Sequence, residues 1–411
     1  PVCIASSDSR SLEVCRAREP QVEKGGGPDF ARLLRGHGPN AAIHIVGLGD
    51  AGVGGFFRRN DVPNAPYHVW RLHGREDDFI HNISERTEEF GKKREDAGEL
   101  ANIGEQMYGY LFASEDPSNH AAHDARAAFE EFARPYLGEA AERSDDPPTL
   151  YIRFMQDRAR RDDDRNAILL PLALAKIDDK PGSFLGFRFK IETPLQEQIT
   201  DGLSPCISNW KLFLPADDDD FHITLQRASA AISRWSAASR VTRMRDLRDW
   251  LAKDQPDPNA TALVVLSHSG KAAGDVRLAA GKDYVASGQI RRTFDIPSIA
   301  ILNGCGAAAP GSERFVKVLN AHGVDAVIAA RCEVGKEMAA DFFDCLACEL
   351  PSAGGGESVL NLADIHYRTI RCLRKRSSYP DSPAYGAAAL AYGLYGNSEL
   401  SLCGPQAKAG Q

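Results

Sequence analysis

The chain has 411 residues, of which 43% are hydrophobic and 26% charged, the balance of an ordinary globular protein. At about 150 residues per domain it is long enough for two or three domains, and this composition excludes a wholly disordered chain, a collagen-like fibre and a disulfide miniprotein. Its 49 basic and 57 acidic residues leave a net charge of −8, a poor basis for non-specific binding to nucleic acid or anionic membrane.

No segment approaches the ~18 to 20 uninterrupted apolar residues of a membrane span. The N-terminal region, with Glu13, Glu19, Glu23 and Lys24, lacks the apolar core of a secretory signal. These features predict a cytoplasmic protein. Nine cysteines, an odd number scattered from Cys3 to Cys403, favour reduced thiols over a secreted disulfide framework. The first residue is Pro1, which leaves further upstream domains open.

In chain order, residues 1–40 contain GGGP and little apolar periodicity, and are expected to form a flexible arm. AAIHIV (41–46) reads as a buried strand. Residues 84–101 are dense in charge; 103–113 and 122–137 read as helices, the second with Phe129, Phe132, Tyr136 and Leu137 near helical spacing. TLYIRF (149–154) is a strand, and the mixed-charge run 157–165 a solvated loop. Residues 167–195 start apolar, turn at Lys180, Pro181 and Gly182, and then alternate as a strand. DDDD (217–220) marks a loop and 228–251 a helical pattern. DQPDPNA (254–260) is the strongest boundary signal. Beyond it come strands at 261–268, 298–305 and 325–331 and helices at 312–322 and 336–350. That alternation predicts an α/β fold with a mostly parallel sheet flanked by helices.

Two of these strands end in reactive side chains. VVLSH delivers His268, followed by Ser269 and Gly270; AILNGC delivers Cys305, followed by Gly306 and alanines. In an open α/β sheet the ligand crevice lies beyond the carboxyl ends of the strands, so adjacent parallel strands put both side chains on one rim. A thiol is a strong nucleophile only as thiolate, and an imidazole can take or return its proton. Small neighbours leave room for an extended peptide and let backbone N–H groups face a developing oxyanion. The backbone donors expected are those of Ser269, Gly270 and Cys305.

The sequence resembles the CHAT peptidases, caspase- and separase-like cysteine proteases of the caspase clan. The resemblance rests on LVVLSHSG, SIAILNGCGAAA, HGVDAVIAARCEV, AADFFDCL and AAALAYGLYGN, and more loosely on NIGEQMYGYLF (102–112) and residues 167–186. It implies a caspase-like catalytic subdomain over 256–405, a degenerate pseudo-caspase subdomain within 41–255, and a disordered tail at 406–411. It further implies Cys305 as nucleophile, His268 as its proton-transfer partner, and no metal or organic cofactor. The substrate would be a protein, the setting a prokaryotic defence or signalling system, and the trigger a sensor or activator protein or domain. Two departures stand out. Ser269 separates the histidine from Gly270, and the aromatic and acidic positions after the third strand align with Cys332 and Lys336. For the substrate pocket, Glu333 or Glu337 would favour Lys or Arg at P1, whereas Lys336 would favour an acidic or polar residue. Both alternatives remain open.

Gly47, Gly49 and Gly52 carry G-x-G-x-x-G spacing after a strand, with Glu76 or Asp77 as the distal acid. A nucleotide-sensing Rossmann-like module is therefore the alternative function, and an inactive CHAT scaffold is another. Cys345-x-x-Cys348 lacks the further ligands of a zinc site and reads as buried helix cysteines. RCLRKRSS (371–378) reads as a solvated helix end, with no direct sign of a nucleic-acid partner.

Overall fold

A computed structural model describes residues 40–47, 52–72, 74–112, 117–137, 147–155, 169–178, 183–195, 206–215, 221–234, 238–272, 275–309, 314–350, 360–376 and 383–403. The expected arm, the run at 157–165, DDDD and the C-terminal tail lie outside them.

The first half builds a five-stranded sheet in the order β3-β2-β1-β4-β5. Its strands are β1 (Ala41–Gly47), β2 (Val53–Arg59), β3 (His68–Leu72), β4 (Thr149–Met155) and β5 (Lys190–Glu192). β1 pairs in parallel with β4 but antiparallel with β2. Helices α1 (Glu76–Lys92), α2 (Ala97–Phe112) and α3 (His120–Ala133) contribute Phe90, Met107, Phe112 and Phe129 to the core over this sheet. The region expected to alternate as a strand around 184–195 instead starts with a helical turn, α4 (Leu185–Arg188), and only three residues join β5. Leu185, Gly186 and Phe187 are all buried, and an apolar run buried on every side has no period that separates helix from strand.

The second sheet has six strands in the order β14-β13-β12-β8-β6-β7. These are β6 (Asn209–Phe213), β7 (Ser239–Val241), β8 (Thr261–Leu266), β12 (Ile299–Asn303), β13 (Ala326–Ala330) and β14 (Tyr392–Gly396). All its pairings are parallel except β13 with β14. Every residue of β8, β12 and β13 is buried, as expected of central parallel strands covered on both faces. Successive side chains feed opposite cores: Val264 and Ile301 one, Val265 and Leu302 the other. Helices α5 (His222–Arg227), α6 (Ser229–Arg234), α9 (Lys336–Glu349) and α10 (Leu362–Lys375) contact one another. The opposite core holds Leu247 of α7 (Met244–Leu251) and Leu319 of α8 (Arg314–Ala321). Short helix α11 (Pro383–Ala388) precedes β14. The single helical pattern read over 228–251 is thus interrupted by β7, which joins the sheet.

The crossover between β8 and β12 departs most from expectation. Left without any assigned element by the sequence, it holds an antiparallel three-stranded sheet of β9 (His268–Ala272), β10 (Asp275–Ala280) and β11 (Asp283–Ala286). The cysteines depart too. Cys206 bonds Cys403 and Cys345 bonds Cys372, with Cα atoms 5.7 Å apart in each pair. The partners are separated by 197 and 27 residues in sequence, so only the fold brings them within bridging distance. Cys345-x-x-Cys348 is accordingly split: Cys345 is buried in a disulfide and Cys348 is exposed.

The two large sheets meet where Thr193 bridges Tyr395. Beside that bridge the Ser398 hydroxyl donates to Glu192 at 2.7 Å. Burial pushes the Glu192 carboxyl from 4.5 up to about 7, against the Ser398 hydrogen bond and with the Glu399 charge. The folded state therefore holds this proton after the unfolded chain has released it. Stability falls as pH rises between those two values, by about 1–3 kcal/mol after allowance for partial exposure. Glu192→Gln is expected to raise the urea midpoint at pH 8 and leave it nearly unchanged at pH 4. Equal effects at both pH values would refute the assignment.

Candidate active site

β8 and β12 are parallel neighbours, with Leu266 opposite Asn303. His268 and Cys305 each stand two residues beyond that pair. Parallel neighbours run about 4.8 Å apart, so both residues leave the sheet on the same rim. The strand ends approach closely: a β-carbon at Gly304 would collide with the Ser267 carbonyl oxygen. Gly306 has φ +61°, the left-handed region that glycine enters freely. Its N–H donates to the Cys332 carbonyl at 2.9 Å. A β-carbon there would lie 3.9 Å from Ser269 Oγ, so the residues following His268 and Cys305 are themselves neighbours.

Cys305 is half-buried, and its Sγ donates to the Val334 carbonyl at 3.3 Å. Burial pushes the thiol up from its usual 9, further helped by Glu333; the Val334 hydrogen bond and the Arg94 charge oppose this. The resting side chain is therefore a thiol at neutral pH and becomes nucleophilic when a base removes its proton. Neighbouring Cys332 is buried and pushed up to about 12, which keeps it inert. His268 opens β9 with its ring tilted 35° to that of Phe221, centroids 4.5 Å apart. Phe221 is itself buried.

A buried network fixes the end of β12. Asn303 donates through Nδ2 to the Ala339 carbonyl at 2.8 Å and accepts from the Tyr392 hydroxyl at 2.7 Å. The Tyr392 ring in turn stacks on Phe342 at 4.0 Å. Glu333, 60% exposed, lies 3.5 Å from Arg94, which follows α1 in the first half. These are the two charged side chains that bear on the Cys305 thiol. Lys336 and Glu337 sit on the first turn of α9, with the Lys336 carbonyl accepting from Thr224. Of the expected oxyanion donors, the Cys305 amide interacts with its own sulfur. Ser269 and Gly270 are paired into the β9–β10 hairpin opposite Leu278 and Arg277, and Gly270 borders open space.

Phe221, Arg94, Asn303 and Tyr392 were not among the residues singled out by sequence. Asn303 carried a signal, being the one polar residue in an otherwise apolar strand. Arg94 sits within a run dense in charge, and Phe221 follows the acidic run; neither stands out there.

The glycine motif has a different setting from the one a dinucleotide site requires. The segment after Gly52 is β2, which pairs antiparallel with β1, so among the described residues the motif leads into a strand and not into a helix whose N-terminus would receive a pyrophosphate. The alternation of buried and half-buried residues in VGGFFRR is a strand pattern. The Glu76 carboxylate occupies the space beside Gly47 where a β-carbon would stand, and Glu76 and Asp77 lie in the first turn of α1 rather than at a strand end. Gly49 lies outside the described residues. Also among the described residues, no group of three His, Cys, Asp or Glu side chains is placed to hold a metal, and no helix is long and apolar enough to cross a membrane.

By sequence, neither a family profile nor a curated protein matches the chain. By structure, the chain is similar to the separase of a Saccharomyces cerevisiae separase–securin complex, with 12% identity and a TM-score of 0.51 over 88% of this chain. It spans only 30% of the separase chain. A weaker similarity is to the Arg-specific cysteine proteinase gingipain R, with 8% identity, a TM-score of 0.39, and 79% of this chain and 76% of that one covered. The similarity to separase and the mostly parallel six-stranded sheet flanked by helices give the chain a caspase-like α/β fold.

Proposed function

We propose that this chain is a cysteine endopeptidase of the CHAT type, with Cys305 as nucleophile and His268 as its proton-transfer partner. The observation that supports this most is the register of β8 and β12, which sets the two residues two steps beyond a paired Leu266 and Asn303. In the proposed reaction the Cys305 sulfur bonds to the scissile carbonyl carbon while its proton passes to His268. Backbone amides at Cys305, Ser269 or Gly270 receive the oxyanion. The C–N bond breaks as His268 gives the proton to the leaving amine. Water then hydrolyses the thioester and restores the thiol.

Residues 41–255 serve in this proposal as the degenerate subdomain and 256–405 as the catalytic one, although β6 and β7 add to the second sheet from before residue 255. Glu333, the acid that bears on Cys305, favours Lys or Arg at P1. The substrate is a partner protein and the setting a prokaryotic cytoplasmic defence system with an activator; this rests on the family resemblance alone. Disulfides persist mainly in oxidising compartments, so a cytoplasmic setting requires the two cysteine pairs to be reduced or transient there.

The test is labelling with a peptidyl acyloxymethyl ketone library and mass spectrometry. Adduct is expected on Cys305, most rapidly with Lys or Arg at P1, and is expected to be absent from Cys305→Ala. Modification of Cys348 at an equal or higher rate, with and without candidate activators, would end the peptidase reading.

A further inference from the structure

Glu333 is fixed beside the thiol through both of its chain neighbours. The Cys332 carbonyl accepts the Gly306 N–H at 2.9 Å, and the Val334 carbonyl accepts from the Cys305 Sγ at 3.3 Å. The first half reaches this segment with the end of α1. A β-carbon at Gly91 would lie only 2.9 Å from the Cys332 β-carbon and 3.0 Å from the Glu333 nitrogen, so the helix end rests directly on the residues behind Cys305.

The turn between α1 and α2 is tied at both ends. The Lys93 N–H donates to the Glu89 carbonyl and the Asp96 N–H to the Lys93 carbonyl, each at 2.8 Å. The Asp96 carboxylate accepts from the Gly98 and Glu99 N–H groups at 3.0 and 3.1 Å. Lys92, Lys93, Glu95 and Asp96 are all exposed, as charged side chains of a surface turn should be. Arg94 is the exception: it is partly buried and brings its guanidinium 3.5 Å from the Glu333 carboxylate. Its charge also bears on the Cys305 thiol. A guanidinium is the group that an arginine at P1 would bring to the same acid.

We propose that Arg94 is a resident occupant of the P1 subsite: it holds Glu333 in the resting chain, and a basic substrate side chain enters when Arg94 swings away. This role rests on the reading of Glu333 as the acid of that subsite and adds its regulation. A solvent-exposed ion pair is weak, so Arg94 competes with substrate without sealing the site. The competition favours a side chain that can replace the pair, as a guanidinium does and an uncharged group does not. Because Arg94 belongs to the first half, a protein that binds the α1–α2 turn and draws Arg94 away opens the subsite without touching the second half.

The test reads the thiol itself and needs no peptide cleavage. The full chain is alkylated with iodoacetamide in the presence of Nα-acetyl-arginine methylamide, and modification of Cys305 is followed by mass spectrometry. The concentration that halves each protein's own rate is expected to be roughly three- to tenfold lower in Arg94→Ala than in the wild type, because a subsite closed most of the time weakens apparent affinity by the fraction open. Arg94→Gln should show the same shift and replaces Arg94→Ala if that variant does not fold. Glu333→Gln should lose the protection. Equal protection in the wild type and a folded Arg94 variant, no protection in any of them, or protection that survives Glu333→Gln would each overturn the proposal. Tighter protection in Arg94→Ala with no ketone adduct on Cys305 would refute the peptidase reading and leave the cation subsite and its occupant standing.

Discussion

Alanine at Cys305 or at His268 is expected to lower peptide cleavage by roughly 10³-fold or more while leaving the fold intact. Cysteine and histidine act as one unit in the proposed step, so loss of either removes the chemistry and the double variant is scarcely worse than the single ones. Stability changes little. Cys305→Ala removes one sulfur hydrogen bond to Val334, which contributes about 1 kcal/mol or less. The checks are kcat/KM on a fluorogenic peptide carrying the preferred P1 residue and urea unfolding of the same samples. Either variant retaining a tenth of the activity would refute the dyad. The raised Cys305 pKa gives the same experiment a second readout. Because the resting thiolate is scarce, alkylation by iodoacetamide should still be climbing at pH 9. A plateau below neutral pH would instead indicate a preformed thiolate–imidazolium pair.

The second large effect is structural. Asn303→Leu removes the side chain shared by two buried hydrogen bonds, its own to the Ala339 carbonyl and the one it accepts from the Tyr392 hydroxyl. The loss of these two buried hydrogen bonds costs about 1–3 kcal/mol in total, read as a lower urea midpoint. Because Asn303 ends the strand two residues before Cys305, the variant should also be labelled more slowly by the acyloxymethyl ketone under conditions where it remains folded. Unchanged stability would show that the network bears no weight. Lost stability with an unchanged labelling rate would separate it from the site.

Several features were legible because their causes are local. Apolar runs such as TALVVL and AVIAA can be stable only when buried on both faces, and they became the central strands β8 and β13. The helix expected at 336–350 forms within a residue of those limits, whereas the one expected at 122–137 starts two residues early and ends four residues early, at Ala133. The placement of His268 and Cys305 at strand ends followed from where those runs stop, and the helices alternating with the strands pointed to a mostly parallel sheet. Buried runs without periodicity were misread, as at 184–195. The strand pairing of 268–286 also escaped notice, since hairpins in a crossover look like any half-buried segment.

What the sequence by itself determined was therefore the fold class and the place of His268 and Cys305 at strand ends, since hydrophobic period and strand ends depend on neighbours along the chain. Only the tertiary structure decided the matters that depend on distance in space. It showed that Leu266 pairs with Asn303, so that both strands end level. It paired Cys206 with Cys403 across 197 residues, against the expectation of reduced thiols. It turned Gly47 and Gly52 into a β-hairpin facing a carboxylate, against the nucleotide alternative. It also brought Arg94 of the first half to Glu333 beside the thiol. Residues far apart in the chain become neighbours only when burial of the two cores outweighs the entropy of closing the loops between them, and that balance leaves no mark at any single position of the sequence.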